Sequence, residues 1–230
     1  MFQNREEAAE QLALKIKDWL QSQFRQTSRE SILVLAIPRG GVIVGDIVAS
    51  NLGCRLDIIV SRKVGAPWNP ELAIGAVMPD GTYYSNEKVM ANFQDISRQY
   101  IDDNISLQKN EIDRRLLEFR GKTDSTLEQN ENQIVVLVDD GIATGSTMIA
   151  AARWLKEKQK YKHFLIAVPV APRSQDTTTE LERAADKLII LYSPDIFHAV
   201  GQFYTDFSQI SDVDVKKIMQ KHGYSPRDGS

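Results

Sequence analysis

The segment Val135–Thr147 constrains the fold of this chain more than any other. It reads Val-Val-Leu-Val-Asp-Asp-Gly-Ile-Ala-Thr-Gly-Ser-Thr, so an apolar, β-branched run is followed at once by two carboxylates and then by small residues. The apolar run is typical of a buried parallel strand, and the alanine-rich stretch Met148–Trp154 is suited to open a helix. Such a strand, turn and helix N-terminus form an anion-binding site, because free backbone N–H groups and the helix dipole converge there.

The two acids of this segment, Asp139 and Asp140, narrow the kind of anion that can bind. Carboxylates beside the turn would repel a bare phosphate. A ligand that also presents hydroxyl groups or a magnesium ion would contact both the acids and the turn. We therefore expect a phosphorylated sugar at this position.

Composition excludes several classes of protein. The 230 residues include 28 basic and 31 acidic side chains, a net charge of −3, so no global field favours nucleic acid or an anionic membrane. The single cysteine, Cys54, suits a reducing compartment and reads as an inert buried thiol rather than a nucleophile. Met1–Glu10 is too polar for a secretory signal, and no apolar stretch approaches the roughly 20 residues that span a bilayer. We expect a cytoplasmic protein.

Hydrophobic periodicity predicts strands that alternate with helices, and hence an α/β fold with a mostly parallel sheet covered by helices on both faces. The unusual turns after Ile37 and after Val138 both follow strands, at the edge where open α/β sheets bind ligands. The predicted strands are Ile32–Ile37, Leu56–Val60, Ala73–Val77, Thr82–Ser85, Val135–Val138, His163–Val170 and Leu188–Leu191.

The same pattern divides the chain into five parts. Residues 1–28 form an amphipathic helix packed on the core, 29–80 and 131–192 form the α/β core, 81–130 an inserted helical cap, 193–220 a C-terminal hood and 221–230 a flexible tail. The cap contains Asn92–Arg120, which keeps a helical spacing amid many charges and reads as one long helix or a helical pair. Two roles are open for the cap: shaping a ligand pocket, or forming a subunit contact in a homodimer.

Asp139–Thr147 resembles the phosphoribosyl-pyrophosphate (PRPP) signature of type I phosphoribosyltransferases, in its order of apolar, acidic and small residues. A Walker loop fits worse, since no lysine follows Gly145; the alternative is a solvated turn that only caps a helix. The resemblance implies that Asp139 and Asp140 are catalytic, contacting the ribose hydroxyls and stabilising positive charge on the sugar. It also implies a 5′-phosphate site formed by Ala143, Thr144, Gly145, Ser146 and Thr147.

Pro38-Arg39-Gly40-Gly41 resembles the pyrophosphate loop of the same family, with Arg39, Gly40 and Gly41 as the binding residues. A plain glycine-rich turn is the alternative. Because the family often has a non-proline cis peptide here, we expect one between Arg39 and Gly40. Arg62 and Lys63 begin a breaker-rich loop that matches the family's mobile lid and would add positive charge against pyrophosphate; alternatively they are ordinary surface charges.

The segment 193–209 loosely resembles the hood of purine salvage members of the family. Phe197 and Asp206 are the matching acceptor-binding candidates; Phe203, Tyr204 and Phe207 are alternatives, and each aromatic could instead be core. His198 is either a general base or, more simply, a packed histidine. No residue is assigned as a metal ligand of the protein itself.

The chain is also similar to a group of uncharacterised bacterial phosphoribosyltransferase-like proteins, which share the Pro-Arg-Gly-Gly turn, the Arg-Lys lid start and a Val-Gly-Gln…Asp-Phe hood. The resemblance implies an enzyme that uses Mg²⁺-bound PRPP to ribosylate a nitrogenous base, releasing pyrophosphate through an oxocarbenium-like transition state. Mg²⁺ is the implied cofactor and the base is unidentified. Two other functions stay open: a non-catalytic regulator that senses PRPP or a nucleotide, and a hydrolase or phosphorylase of ribosyl compounds.

Overall fold

A computed structural model describes residues 1–24, 28, 31–93, 95–124, 131–158 and 160–227. Its centre is a parallel five-stranded sheet with the order β2-β1-β6-β7-β8. A second, antiparallel sheet has the order β3-β4-β5. The strands are β1 Ile32–Ala36, β2 Arg55–Ile58, β3 Arg62–Ala66, β4 Asn69–Val77, β5 Tyr83–Ser85, β6 Ile134–Val138, β7 His163–Val170 and β8 Lys187–Tyr192.

Helices cover both faces of the central sheet, so the predicted mostly parallel α/β fold is confirmed. The described helices are α1 Arg5–Gln23, α2 Gly40–Leu52, α3 Glu87–Met90, α4 Arg98–Arg120, α5 Ser146–Lys158, α6 Gln175–Ala184 and α7 Asp212–Lys221, with a short 3₁₀ helix at Val200–Phe203. None of them is long and apolar enough to cross a membrane.

Successive side chains along the strands of the central sheet pack into two hydrophobic cores, one on each face of the sheet. In β1, Val34 packs in a cluster with residues of α1, α2, α4 and α7, whereas Leu35 packs in a cluster with residues of α5. This period of two is what a strand buried on both faces requires. Because both faces are apolar, polar residues can concentrate only where the strands end.

The helix of the predicted cap is one continuous element, α4. Ser97 caps its start by accepting a hydrogen bond from the Tyr100 N–H at 3.2 Å, and Gly121 ends it with φ of 78°. Ile112, Leu116 and Phe119 are fully buried in the same core cluster as α1 and α2. The C-terminal half of α4 is therefore an integral part of the core.

Residues 62–70, expected to be a loop, instead form most of a β-hairpin. Strand β3 pairs with β4 across a turn at Pro67 and Trp68, with register shifts beside Gly65. The prediction was wrong because Pro and Gly were taken as strand breakers, whereas an irregular two-stranded edge tolerates both.

The N-terminus is tied to the hood. The Phe2 N–H donates to the Phe203 carbonyl and the Thr205 N–H donates to the Phe2 carbonyl, both at 2.8 Å. Immediately after this pairing, the Asn4 side chain caps α1 by accepting from the Glu7 N–H at 2.9 Å. The start of α1 is therefore held beside the carboxyl edge of the central sheet.

Other terminal and connecting segments are only partly described. The predicted tail begins inside α7, and Tyr224 is half-buried, donating its hydroxyl to the Leu56 carbonyl at 3.1 Å. Residues 228–230 of that tail, and 125–130 of the predicted cap, lie outside the described residues. Cys54 is half-buried, and burial raises the pKa of its thiol to about 12, which agrees with an inert side chain.

Truncation of α4 on its buried face tests the attachment of this helix. We expect Leu116→Ala, at a fully buried position, to lower the free energy of unfolding by about 2–5 kcal/mol because it leaves a cavity. Leu107→Ala is the matched control on the same helix, since Leu107 is 62% exposed, and should change stability by less than about 0.5 kcal/mol. Urea denaturation measures both, and similar small effects would contradict the packing of α4.

Candidate active site

The site is assembled by two neighbouring strands. β1 and β6 run parallel and in register, with Ala36 opposite Val138, and the Ile37 N–H donates to the Val138 carbonyl at 3.1 Å. The turn after β1 and the two acids after β6 therefore leave the sheet side by side. This is the edge at which α/β folds bind ligands.

Two glycines allow the turn after β1 to touch the acids. A Cβ on Gly40 would overlap the Asp140 carboxylate, and one on Gly41 would lie 2.8 Å from Asp139 Oδ1. Any side chain at either position would push the two loops apart. The sequence needs glycine here for close approach.

The predicted cis peptide lies one bond earlier than expected, between Pro38 and Arg39. The expected Arg39–Gly40 bond belongs to the first turn of α2, where the Arg39 carbonyl accepts from the Val42 N–H at 3.1 Å. Helical hydrogen bonding of this kind uses trans peptides. The placement between Arg39 and Gly40 was therefore wrong.

Asp139 and Asp140 are adjacent and half-buried at this edge of the sheet. Asp139 Oδ1 accepts the Asp140 N–H at 2.8 Å. Burial raises the pKa of Asp139 well above its ordinary value, and repulsion by Asp140 raises it further. Burial also raises the pKa of Asp140, although Arg5 opposes that shift. A positive charge placed next to the two carboxylates would stabilise their ionised forms.

Arg5 supplies such a charge, and the sequence analysis missed it. Its Nε–H donates to Asp140 Oδ2 at 2.7 Å, an Nη1–H donates to the Ser208 carbonyl at 2.9 Å, and its guanidinium lies 3.7 Å from the centre of the Phe207 ring. Arg5 is the first residue of α1, where the helix dipole disfavours a cation. An arginine at the first position of a helix, directly after the Asn4 cap, is the feature of the sequence from which Arg5 could have been identified as a site residue.

The segment 143–147, predicted as the phosphate loop, forms a tight turn that leads into α5. Gly145 takes φ of 80°, and α5 begins at the next residue, Ser146. Ala143 and Thr144 are exposed, and the hydroxyls of Thr144 and Ser146 lie 3.3 Å apart. The first N–H groups of a helix lack intrahelical partners, so the start of α5 can receive an anion at this exposed loop.

The predicted pyrophosphate-binding residues are divided between two places. Arg39 stands at the start of α2, half-buried and loosely paired with Asp212 at 3.6 Å. Arg62 instead donates to Gln108 of α4 at 3.1 Å, and Lys63 pairs with Glu71 across the hairpin at 2.8 Å. The structure thus brings Arg39 to the acids, while the described contacts of Arg62 and Lys63 are with the hairpin and α4.

In the hood, different residues face the acids from those first matched. Phe197 is half-buried with its ring 5.1 Å from that of Phe203, and Asp206 is exposed and accepts the Ser208 N–H at 3.0 Å. Tyr204 and Phe207 are closer to the site: the Tyr204 hydroxyl donates to the Asp140 carbonyl at 2.5 Å, and Phe207 stacks beneath Arg5. His198 is exposed rather than packed.

Two cavities adjoin these residues. The larger, of 320 Å³, borders the phosphate loop at Thr144 and Ser146 and extends between α5, α6 and the second sheet. The smaller, of 300 Å³, lies beside Asp140 and is lined by Arg5, Arg39, Gly40, Phe207, Gln209 and Ile210. Within the part of the chain that the structure describes, no group of three or more His, Cys, Asp or Glu side chains is placed to hold a metal ion.

The two acids should respond to neutralisation to different extents. The raised pKa of Asp139 means that the folded protein binds this proton more tightly than the unfolded chain, so stability falls as pH rises above the ordinary value of 3.8. Asp139→Asn keeps the acceptor oxygen and cannot ionise. We expect it to raise the melting temperature near neutral pH by about 2–4 °C, the effect of ~1 kcal/mol, with a smaller gain in acid.

Asp140→Asn is the matched variant. Its neutralisation also removes the burial cost that raises the pKa of Asp140, but the Arg5 guanidinium, 7% exposed, loses its carboxylate partner, so we expect a smaller gain in stability than for Asp139→Asn. Thermal melts followed by circular dichroism across pH measure both variants. A gain for Asp140→Asn equal to or larger than that for Asp139→Asn would contradict the pairing of Arg5 with Asp140.

Comparison with known proteins agrees with this geometry. A family model described as phosphoribosyl transferase domain matches residues 5–208. Proteins of two Mycobacterium tuberculosis strains, CDC 1551 and H37Rv, provisionally named phosphoribosyl transferases, are 35% identical over 221 residues, which is 96% of this chain and 47% of each relative. The chain thus spans about half the length of these curated relatives.

A solved structure extends the similarity to the whole fold. The crystal structure of TT1426 from Thermus thermophilus is 32% identical with a TM-score of 0.73, covering 96% of this chain and 98% of that one. The family match includes the turn after β1, the acid pair and the phosphate loop. This chain belongs to the phosphoribosyl transferase family and has the type I phosphoribosyltransferase fold.

Proposed function

We propose that this protein transfers a 5-phosphoribosyl group from Mg²⁺-bound PRPP to a nitrogen atom of a base and releases pyrophosphate. One observation carries the proposal: the acids Asp139 and Asp140 are flanked by two anion-binding elements, the Arg39–Gly41 turn and the start of α5. PRPP has the same order of groups, a diphosphate, a ring with two hydroxyls and a 5′-phosphate.

The 5′-phosphate would bind at the start of α5. The backbone N–H groups from Ala143 to Thr147 and the hydroxyls of Thr144 and Ser146 offer donors there, and the helix dipole favours the negative charge. Gly145 has a positive φ and packs against Thr177, so the loop is fixed before the ligand arrives. A rigid phosphate anchor positions the sugar ring over the acids.

Asp139 and Asp140 would contact the ribose hydroxyls and stabilise the transition state electrostatically. As the bond to pyrophosphate breaks, positive charge develops on the sugar ring. The raised pKa values of Asp139 and Asp140 indicate that their negative charges are not fully compensated in the free protein, so the carboxylates interact favourably with that developing charge. Loss of a preorganised interaction of this kind costs ~10²–10³ in rate, or about 3–4 kcal/mol. The acids position and stabilise, with no covalent intermediate.

The donor atoms also fit Mg²⁺ that arrives with the diphosphate. Mg²⁺ in proteins is commonly held by one or two carboxylates together with substrate phosphates, and Asp139 and Asp140 offer carboxylates beside the Arg39 turn. Bound there, the ion would supply charge neutralisation for the departing diphosphate.

The acceptor base would attack the anomeric carbon from the face opposite pyrophosphate. Phe197 and Asp206 remain predictions as its contacts, whereas Phe207 lies on the cavity beside Arg5 and Arg39 and stacks on Arg5. The cytoplasmic location and the homodimer likewise remain predictions, which cell fractionation and light scattering test.

The proposed reaction is tested by incubating the protein with PRPP, Mg²⁺ and a panel of bases while pyrophosphate release is followed. We expect base-dependent release, and we expect the double variant Asp139→Asn with Asp140→Asn to lower kcat at least ~10³-fold. Release that does not need a base would indicate a hydrolase. Binding of PRPP without any turnover would indicate a regulator. Unchanged activity of the double variant would remove the catalytic assignment.

The 5′-phosphate site is tested with ribose 5-phosphate as the ligand. We expect Thr144→Val to weaken its binding about 10-fold, because a hydrogen bond to a charged group contributes ~1.5–3 kcal/mol. Thr123→Val is the matched control, since Thr123 is exposed in the segment after α4 and lines neither cavity. Calorimetry measures the affinity of each variant for ribose 5-phosphate. Equal affinities of the wild type and Thr144→Val would count against the proposed 5′-phosphate site.

A further inference from the structure

Arg5 contacts the proposed catalytic pair, yet neither the ribose contacts nor the 5′-phosphate loop uses it. Its position is unfavourable for stability alone. It is the first residue of α1, where the dipole opposes a cation, and it is only 7% exposed. Buried ion pairs of this kind are often no more stabilising than apolar residues of similar size. A role in ligand binding explains why an arginine is buried at the start of α1, which its contribution to stability does not explain.

The guanidinium is held in place from several sides. The pairing of Phe2 with Phe203 and Thr205 fixes the chain just before α1, the Ser208 carbonyl accepts an Nη1–H at 2.9 Å, and the Phe207 ring lies 3.7 Å away. An arginine already ordered in this way loses little side-chain entropy when it binds a further group.

Arg5 retains donors for such a group. Arginine carries five N–H donors. Among the described residues, Asp140 accepts the Nε–H and Ser208 accepts one Nη1–H. The same guanidinium lines the 300 Å³ cavity together with Arg39 and the backbone of Gly40. Two guanidinium groups on one cavity are suited to an anion with more than one negative charge.

Arg5 also reduces the electrostatic repulsion between the two acids and an anion bound in this cavity. Gly40 is in close contact with the Asp140 carboxylate, so a diphosphate at the Arg39–Gly40 turn would approach that negative charge. Arg5 Nε lies 2.7 Å from Asp140 Oδ2, on the same cavity. A cation in this position screens Asp140 from the ligand.

We infer that Arg5 is a ligand-binding residue that bridges Asp140 and the diphosphate group of the sugar donor, sharing that group with Arg39. The inference rests on the proposed function, because it takes the donor to carry a diphosphate. It assigns the N-terminal segment, joined to the hood, as part of the active site.

The test is binding of inorganic pyrophosphate, measured by calorimetry in the full chain. We expect Arg5→Gln to weaken affinity at least 10-fold and Arg5→Lys to recover part of the loss, since lysine restores the charge but not the fork of donors. Arg98→Gln is the control for net charge, because the Arg98 side chain is 95% exposed on α4; it should change affinity less than twofold. Equal affinities of the wild type and a folded Arg5→Gln would overturn the inference.

The bridge to Asp140 is tested by repeating the substitution in an Asp140→Asn background. There the repulsion that Arg5 screens is absent, so Arg5→Gln should weaken pyrophosphate binding only about threefold. If Arg5→Gln weakens pyrophosphate affinity by the same factor in both backgrounds, the bridging role is overturned. If the single Arg5→Gln variant does not fold, this second comparison carries the test, because both partners are then neutral: a threefold loss supports the inference and no loss overturns it.

Turnover separates this inference from the proposed function. A wild-type protein that releases pyrophosphate from PRPP in the presence of a base, while Arg5→Gln leaves both pyrophosphate affinity and the KM for PRPP unchanged, would overturn the role of Arg5 and retain the transferase. A wild-type protein that neither binds pyrophosphate nor turns over PRPP would overturn both. A raised KM for PRPP in a folded Arg5→Gln variant supports the inference.

Discussion

The in-register pairing of β1 with β6 is the constraint on which the site depends. It places Ile37 beside Val138, so the turn after one strand and the acids after the other begin at the same edge. Gly40 and Gly41 then bring the two loops into contact, which no residue with a Cβ would permit. The order of anion site, acids and anion site along this edge follows from the order of strands in a parallel sheet.

The charge balance at this edge follows from burial. Two adjacent carboxylates with little solvent around them are costly for the folded protein, and the raised pKa values of Asp139 and Asp140 express that cost. Arg5 offsets part of it by binding Asp140.

Local sequence was sufficient wherever neighbouring residues decide the structure. The β-branched run before Asp139 predicted β6, and the small residues before Met148 predicted a turn into α5. The spacing of 92–120 predicted a helix, which begins only at Arg98 and ends as expected at Arg120. These features depend on backbone preference and on hydrophobic period, which act over a few residues. The hairpin at 62–70 was missed because its strands are stabilised by pairing with each other, which breaker residues obscure locally.

By itself, the sequence determined the α/β fold, the position of the acid pair and the phosphate loop, because each is encoded within one continuous segment. Only the tertiary structure decided that Arg5 contacts Asp140 across 135 positions of the chain, that Phe207 rather than Phe197 lies beside it, and that Arg62 turns to α4. The reason is physical: a contact between distant segments depends on how whole helices and strands pack, and no local pattern in this chain records that geometry.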